Sequence, residues 1–195
     1  AFPNLVSIHG FNAEEWKTLV EECTDHRQFY GIEFNLSCPN VQHSERMLNE
    51  VLPAIEIACA RTKVIAKLPP LRWMGWASPL YKAGVRRFHC CNTIPCPGGG
   101  LSGPVLKQYS LWAVEDLKQK GRWATNVDVI GGGGISSLSD VIDYQKAGAD
   151  RISLGSILLN PFRWKAARKL CLETNALLSK PQEELEDEEG PLPAS

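Results

Sequence analysis

The chain has 195 residues, 44% of them hydrophobic and 22% charged, and a formal net charge of -1, which is the makeup of a globular domain with a sizeable core. Acidic and basic residues are interspersed over most of the length, so there is no basic stripe to hold nucleic acid or an anionic membrane. No apolar run approaches the roughly 20 residues that cross a bilayer, and the opening AFPNLVSIHG lacks the basic start and apolar core of a signal peptide.

Short β-branched or apolar runs alternate with amphipathic stretches along the chain. Leu5 to His9 reads as a strand and Ala13 to Cys23 as a helix; Gly31 to Leu36 and Ser44 to Ala60 repeat the pair. Lys63 to Lys67 precedes a helix at Ser78 to Ala83, and Arg86 to Cys91 precedes one at Val105 to Lys120. Asp128 to Ile130 with Leu138 to Lys146, and Arg151 to Leu154 with Pro161 to Leu178, complete six βα units. Two helices end in the same way, Lys82-Ala83-Gly84 and Lys146-Ala147-Gly148, where glycine supplies a left-handed cap. Strict alternation implies an α/β fold with a parallel sheet and helical crossovers, either open or closed as a barrel. A complete (β/α)8 TIM barrel needs about 250 residues and eight units, so six units beginning directly before a strand read as such a barrel without its first two strands. Residues 1–179 form the expected barrel domain. Residues 180–195, acidic and nearly without large apolar groups, read as a disordered tail.

Ligands of parallel β/α proteins sit at the C-terminal ends of the strands, and those positions are polar here. Asn35-Leu36-Ser37-Cys38-Pro39-Asn40 follows the second strand, Lys67-Leu68-Pro69-Pro70 the third, and Asn92-Thr93 the fourth. A lysine at the end of an apolar strand is costly to bury without an anionic or electron-rich partner; the alternatives are that Lys67 reaches solvent or pairs with Glu33. Glycine clusters at Gly98-Gly99-Gly100 to Gly103, at Gly131 to Gly134, and the pair Gly155-Ser156 let backbone N–H groups and helix N-termini approach a phosphate. Neither GxGxxG nor a P-loop is matched, which favours a cofactor with one phosphate. Seven cysteines, Cys23, Cys38, Cys59, Cys90, Cys91, Cys96 and Cys171, show no disulfide or zinc spacing. They indicate a reducing, cytoplasmic setting and no metal. His9 and His89 read as core or pocket-lining residues, His26 and His43 have no metal-like spacing, and the six tryptophans cover the barrel, Trp73 and Trp76 lying near its mouth.

Taken in order, IEFNLSCPN, KLPP, CNT, GGLSGP, VIGGGGI and AGADRISLGS resemble the active-site segments of the dihydroorotate dehydrogenase family, from about Gly31 to Ser156. The resemblance implies a β/α barrel binding flavin mononucleotide (FMN) and oxidising dihydroorotate to orotate in pyrimidine synthesis. It makes Cys38 the base, as in the soluble class, with Lys67 facing the flavin's pyrimidine edge. Asn35 would touch flavin and substrate, Asn40 and Asn92 the substrate, and Thr93 both. Gly103 would back the flavin, and Gly133, Gly134, Gly155 and Ser156 would hold its phosphate. Implied partners are fumarate, or an electron-transfer subunit leading to NAD, and a second copy in a homodimer. The family's two preceding strands, with another lysine and an asparagine segment, have no counterpart here, and the span from Asn92 to Gly103 is short for the family. The alternatives are a dihydropyrimidine dehydrogenase-type barrel, which SCPN followed by Val41 resembles less, and an inactive fragment serving as a binding or scaffold module.

Overall fold

A computed structural model describes residues 4–25, 29–36, 45–71, 73–91, 93–97, 99–119, 122–123 and 127–179. Six strands form one parallel sheet: β1 (Leu5–Ile8), β2 (Gly31–Asn35), β3 (Lys63–Lys67), β4 (Arg87–Cys90), β7 (Asp128–Gly132) and β8 (Arg151–Ser153), in the order β1-β2-β3-β4-β7-β8. Between β4 and β7 the chain makes a small antiparallel hairpin, β5 (Ile94–Cys96) and β6 (Gly99–Leu101). The crossovers are α1 (Ala13–Asp25), α2 (Glu45–Arg61), α3 (Trp73–Lys82), α4 (Pro104–Lys118) and α5 (Leu138–Lys146); α6 (Trp164–Leu178) follows β8 after two 3₁₀ turns, Ser156–Leu159 and Pro161–Arg163.

Period-2 alternation sorts the strand side chains onto two faces. Ile8, Ile32, Phe34, Val64, Ala66, Phe88, Cys90 and Val129 join the core under the helices, where Phe34 stacks on the fully buried Trp16 of α1 at 5.6 Å. The opposite face carries polar groups that meet one another: Ser7 on Glu33, Glu33 on His89, and Arg87 on Asp128. Glu33 lies on β2 and His89 on β4, two strands apart, or about 9.6 Å in a flat sheet. Their 2.8 Å hydrogen bond therefore requires the sheet to curl inward on this face. The result is a half-barrel, helices on the convex side and a polar concave side. Among the described residues, β1 and β8 each pair along one edge only.

The two expected glycine caps are present. Gly84 and Gly148 have φ of 104° and 98°. In each, the following residue donates five back (Val85 to Leu80, 3.0 Å; Ala149 to Tyr144, 2.9 Å) while the glycine donates three back, the double bond of a Schellman end. Two helix starts differ from the sequence expectation by three residues or more. α3 begins at Trp73, five residues before the expected Ser78, because Trp73, Trp76, Ala77 and Leu80 make one buried helical stripe despite Gly75 and Pro79. The segment 161–163 is 3₁₀, so α6 starts at Trp164. Residues 180–195 lie outside the described residues.

Candidate functional site

At the C-terminal ends of β3, β4, β7 and β8 lies a cleft of about 270 Å³. Its lining includes seven residues singled out from sequence: Lys67, Thr93, Gly103, Gly133, Gly134, Gly155 and Ser156. Asn35 ends β2 in register with Lys67; its backbone carbonyl accepts a 2.9 Å hydrogen bond from His9 Nδ1, and it is not part of the lining. Cys38, Asn40 and Asn92 lie outside the described residues. The lining also contains Gly132 of the predicted glycine cluster and His89, read from sequence as core or pocket-lining, together with residues for which no ligand role was expected: Cys91, Ser102, Leu106, Ile135, Ser153 and Leu159. Strand alternation could have found Cys91 and Ser153, since Cys91 is two residues beyond His89 and Ser153 two before Gly155.

The cleft floor is a charged cluster. Glu33 accepts from His89 Nδ1 at 2.8 Å and from Ser7 Oγ at 3.1 Å, and its Oε1 lies 3.9 Å from Lys67 Nζ. Lys67 thus both lines the cleft and pairs with Glu33. Burial pushes the Glu33 carboxyl up, but the hydrogen bond and charge of His89, the charge of Lys67 and the Ser7 hydroxyl outweigh it, leaving Glu33 below the ordinary glutamate value.

The glycine turn after β7 is latched from the helix side. Gly132 carbonyl accepts from Ser110 Oγ at 2.6 Å and Cys91 N at 3.1 Å; Gly133 carbonyl accepts from Tyr144 OH at 2.7 Å. In a trans peptide the next N–H points opposite to the carbonyl. The Gly133 amide is therefore aimed away from Ser110 and the Gly134 amide away from Tyr144, and both residues line the cleft. Only glycine fits here: φ is 112° and 72°, and an added Cβ would stand 2.8 Å from Leu106 Cδ2 and 2.9 Å from Gly103 O, respectively. At Gly103 and Gly155, by contrast, an added Cβ would meet nothing within 4 Å, so the cleft wall is open above their backbone.

Lys107 on α4 ties the same region to α5, bonding Asp140 at 2.6 Å and Asp143 at 2.5 Å. Asp140 also caps α5, accepting from the amides of Ser136 (2.9 Å) and Ser137 (3.0 Å). Burial pushes its carboxyl up, but Lys107 and the serine donors prevail and hold it well below the carboxylate range. The N-terminus of α5 is already occupied by its own carboxylate, leaving the glycine amides and the Gly155–Ser156 turn to meet an anion. Among the described residues no group of three His, Cys, Asp or Glu side chains could hold a metal ion, and no helix is long and apolar enough to cross a membrane.

Residues 85–174 match the family model described as dihydroorotate dehydrogenase. The chain is 32% identical to the dihydroorotate dehydrogenase B (NAD(+)) catalytic subunit of Archaeoglobus fulgidus, over 79% of this chain and 58% of that one. It is 28% identical to dihydroorotate dehydrogenase A (fumarate) of Limosilactobacillus reuteri, over 79% and 56%. A crystal structure of DHODH from Eimeria tenella in complex with ferulenol aligns with a TM-score of 0.58 at 20% identity, covering 73% of this chain and 48% of that one; at that identity it speaks for the barrel fold alone. The chain spans a little over half the length of the curated relatives it matches. The half-barrel, the strand-end cleft and these matches together make the chain similar to a segment of the dihydroorotate dehydrogenase barrel.

Proposed function

We propose that this chain carries the cofactor half of a flavin-dependent oxidoreductase site that converts dihydroorotate to orotate in pyrimidine synthesis. The supporting observation is the cleft itself: the glycine turn Gly133–Gly134 in its lining, open space above Gly103 and Gly155, and Lys67 beside them. These residues fit FMN, amide donors suiting its one phosphate and an ammonium suiting the electron-rich edge of its ring.

The reaction turns a ring carbon–carbon single bond into a double bond, one carbon giving up a proton and its neighbour a hydride. A bound flavin supplies the two-electron acceptor. Cys38, as a thiolate, takes the proton, while Asn35, Asn40, Asn92 and Thr93 hold the substrate and Gly103, Gly133, Gly134, Gly155 and Ser156 hold the cofactor. The relatives include a fumarate enzyme and an NAD enzyme's catalytic subunit, so the electrons would leave for fumarate or, through a partner subunit, for NAD. A second reading is a barrel segment that binds without turnover.

Titration of the purified chain with FMN, followed at the flavin band near roughly 450 nm, tests the site. Bleaching of that band by dihydroorotate without oxygen tests the reaction. The bleaching rate should rise with pH as Cys38 ionises, near about 8.5 for a free thiol, and Cys38→Ala should abolish that rise. Saturable FMN binding with no bleaching would favour the second reading, and no uptake of FMN would overturn the first.

A further inference from the structure

The cleft floor holds a group that the proposed reaction leaves unused. His89 is 8% exposed, and its Nδ1 meets Glu33 at 2.8 Å. Glu33 is ionised, so Nδ1 carries the proton in that bond, and the ring is fixed in one tautomer and one orientation. The other nitrogen faces the cleft, Nε2 standing 3.1 Å from where a Cβ on Gly132 would be, and both residues line the cavity. The groups around the imidazole are Glu33 from β2, Lys67 from β3, Ser7 from β1, and the uncharged Gly132 and Ser153 from β7 and β8.

We infer that His89 forms a hydrogen bond through Nε2 to the polar edge of the flavin ring, and that Glu33 is the positioning residue that presents both His89 and Lys67 to it. This rests on the flavin reading above. The pyrimidine edge of the ring alternates carbonyl oxygens with an N–H. Neutral His89 accepts there from the N–H, and protonated His89 donates to a carbonyl. A phosphate is the poorer occupant, because the Glu33 carboxylate sits directly behind the imidazole and repels an anion. The glycine turn Gly133–Gly134 lies instead at the end of β7.

The test separates the two nitrogens. His89→Asn keeps a donor near the Nδ1 position to bond Glu33 but has nothing at Nε2; His89→Gln places its amide near Nε2; His89→Met keeps volume without either bond. The full chain and each variant are titrated with FMN and with riboflavin, which lacks the phosphate, with far-UV circular dichroism as the check on folding. The expected result is about tenfold weaker binding of both flavins by His89→Asn and His89→Met, near-wild-type binding by His89→Gln, and an intermediate loss for Glu33→Gln. His89→Met carries the comparison if His89→Asn does not fold. Equal losses for FMN and riboflavin locate the contact on the ring. Unchanged binding in folded Asn and Met variants, or a loss confined to FMN, would overturn the inference while leaving the flavin site intact. A wild-type chain that binds neither flavin would overturn the flavin reading itself, and the inference with it.

Discussion

Gly131→Ala should destabilise this protein far beyond an ordinary glycine-to-alanine change. Gly131 sits in β7 with ordinary backbone angles, but a Cβ there would stand 2.5 Å from Tyr144 Cδ1 and 3.1 Å from Ala149 Cβ. Tyr144 cannot swing aside freely: its ring is fully buried and its hydroxyl is tied to the Gly133 carbonyl. Overpacking of this kind costs about 1–3 kcal/mol, and freeing the ring by breaking the hydroxyl bond adds about 1 kcal/mol. The total, about 2–4 kcal/mol, lowers Tm by roughly 4–16 °C in a chain of this size. Thermal and urea unfolding followed by circular dichroism would measure it. Gly75→Ala is the control, since a Cβ there meets nothing within 4 Å inside α3 and should stabilise by about 0.5–1 kcal/mol. In a Tyr144→Leu background the 2.5 Å ring contact is gone while the 3.1 Å approach to Ala149 remains, so Gly131→Ala should then cost clearly less, about 1 kcal/mol. An equal cost in both backgrounds would refute the reasoning, because the ring would not be what the methyl group strikes.

Acid should unfold the protein through its depressed carboxylates. Folded Asp140 and Glu33 both titrate below their unfolded values, so their contribution is complete above the ordinary carboxylate range of about 4 and is lost as pH falls beneath it; Asp140→Asn should flatten the stability curve between about pH 5 and 2. Thiol labelling at pH 8 with mass-spectrometric assignment should modify the exposed Cys96 and Cys171 before the buried Cys90 and the half-buried Cys59. Burial pushes Cys59 up to about 11 and Cys90 well above its ordinary value, so both should react only once the protein is unfolded, and labelling of either as fast as Cys96 would contradict that.

The six strands and their helices were legible because one face of each strand carries apolar residues and each helix an apolar stripe, and because Gly84 and Gly148 punctuate two of the helices. The β5–β6 hairpin was not legible. Its strands are three residues each, built on Pro95, Gly99 and Gly100, which carry no strand preference and pair only because the chain folds back on itself. Of the cleft, the glycines and Lys67 stood out as unusual residues at strand ends. The latch behind them did not: Ser110, Tyr144 and Lys107 lie inside helices, where a serine or a lysine ordinarily means a neutral or solvated position. Their partners, Gly132, Gly133, Asp140 and Asp143, lie 11 to 36 residues away, a separation no local pattern reveals. Glu33 and His89 are 56 residues apart and meet only because the sheet curls.

Another polar cluster lies at the opposite ends of the strands, where β7 pairs with both β4 and β8, and there charge pairing can be weighed link by link. Asp128 on β7 accepts from Arg87 on β4 at 2.9 Å and from Arg151 on β8 at 3.2 Å. The two contacts are not equivalent, for the side chain of Arg151 is 64% exposed and that of Arg87 31%. Exposed pairs contribute about 0–1 kcal/mol because water and salt screen them, whereas removing the partner of a partly buried charge leaves it desolvated, at about 1–3 kcal/mol. Arg151→Ala should therefore change stability by under about 0.5 kcal/mol, and 0.5 M salt should erase most of that. Asp128→Asn should cost about 1–2 kcal/mol and keep most of its effect in salt, since the loss falls on Arg87. Urea unfolding of both variants at low and high salt decides the matter. If Arg151→Ala proves the more damaging, the concave face is closed to solvent at β8 in a way that its exposure does not express, and the charge cluster would have to be reckoned as a buried network.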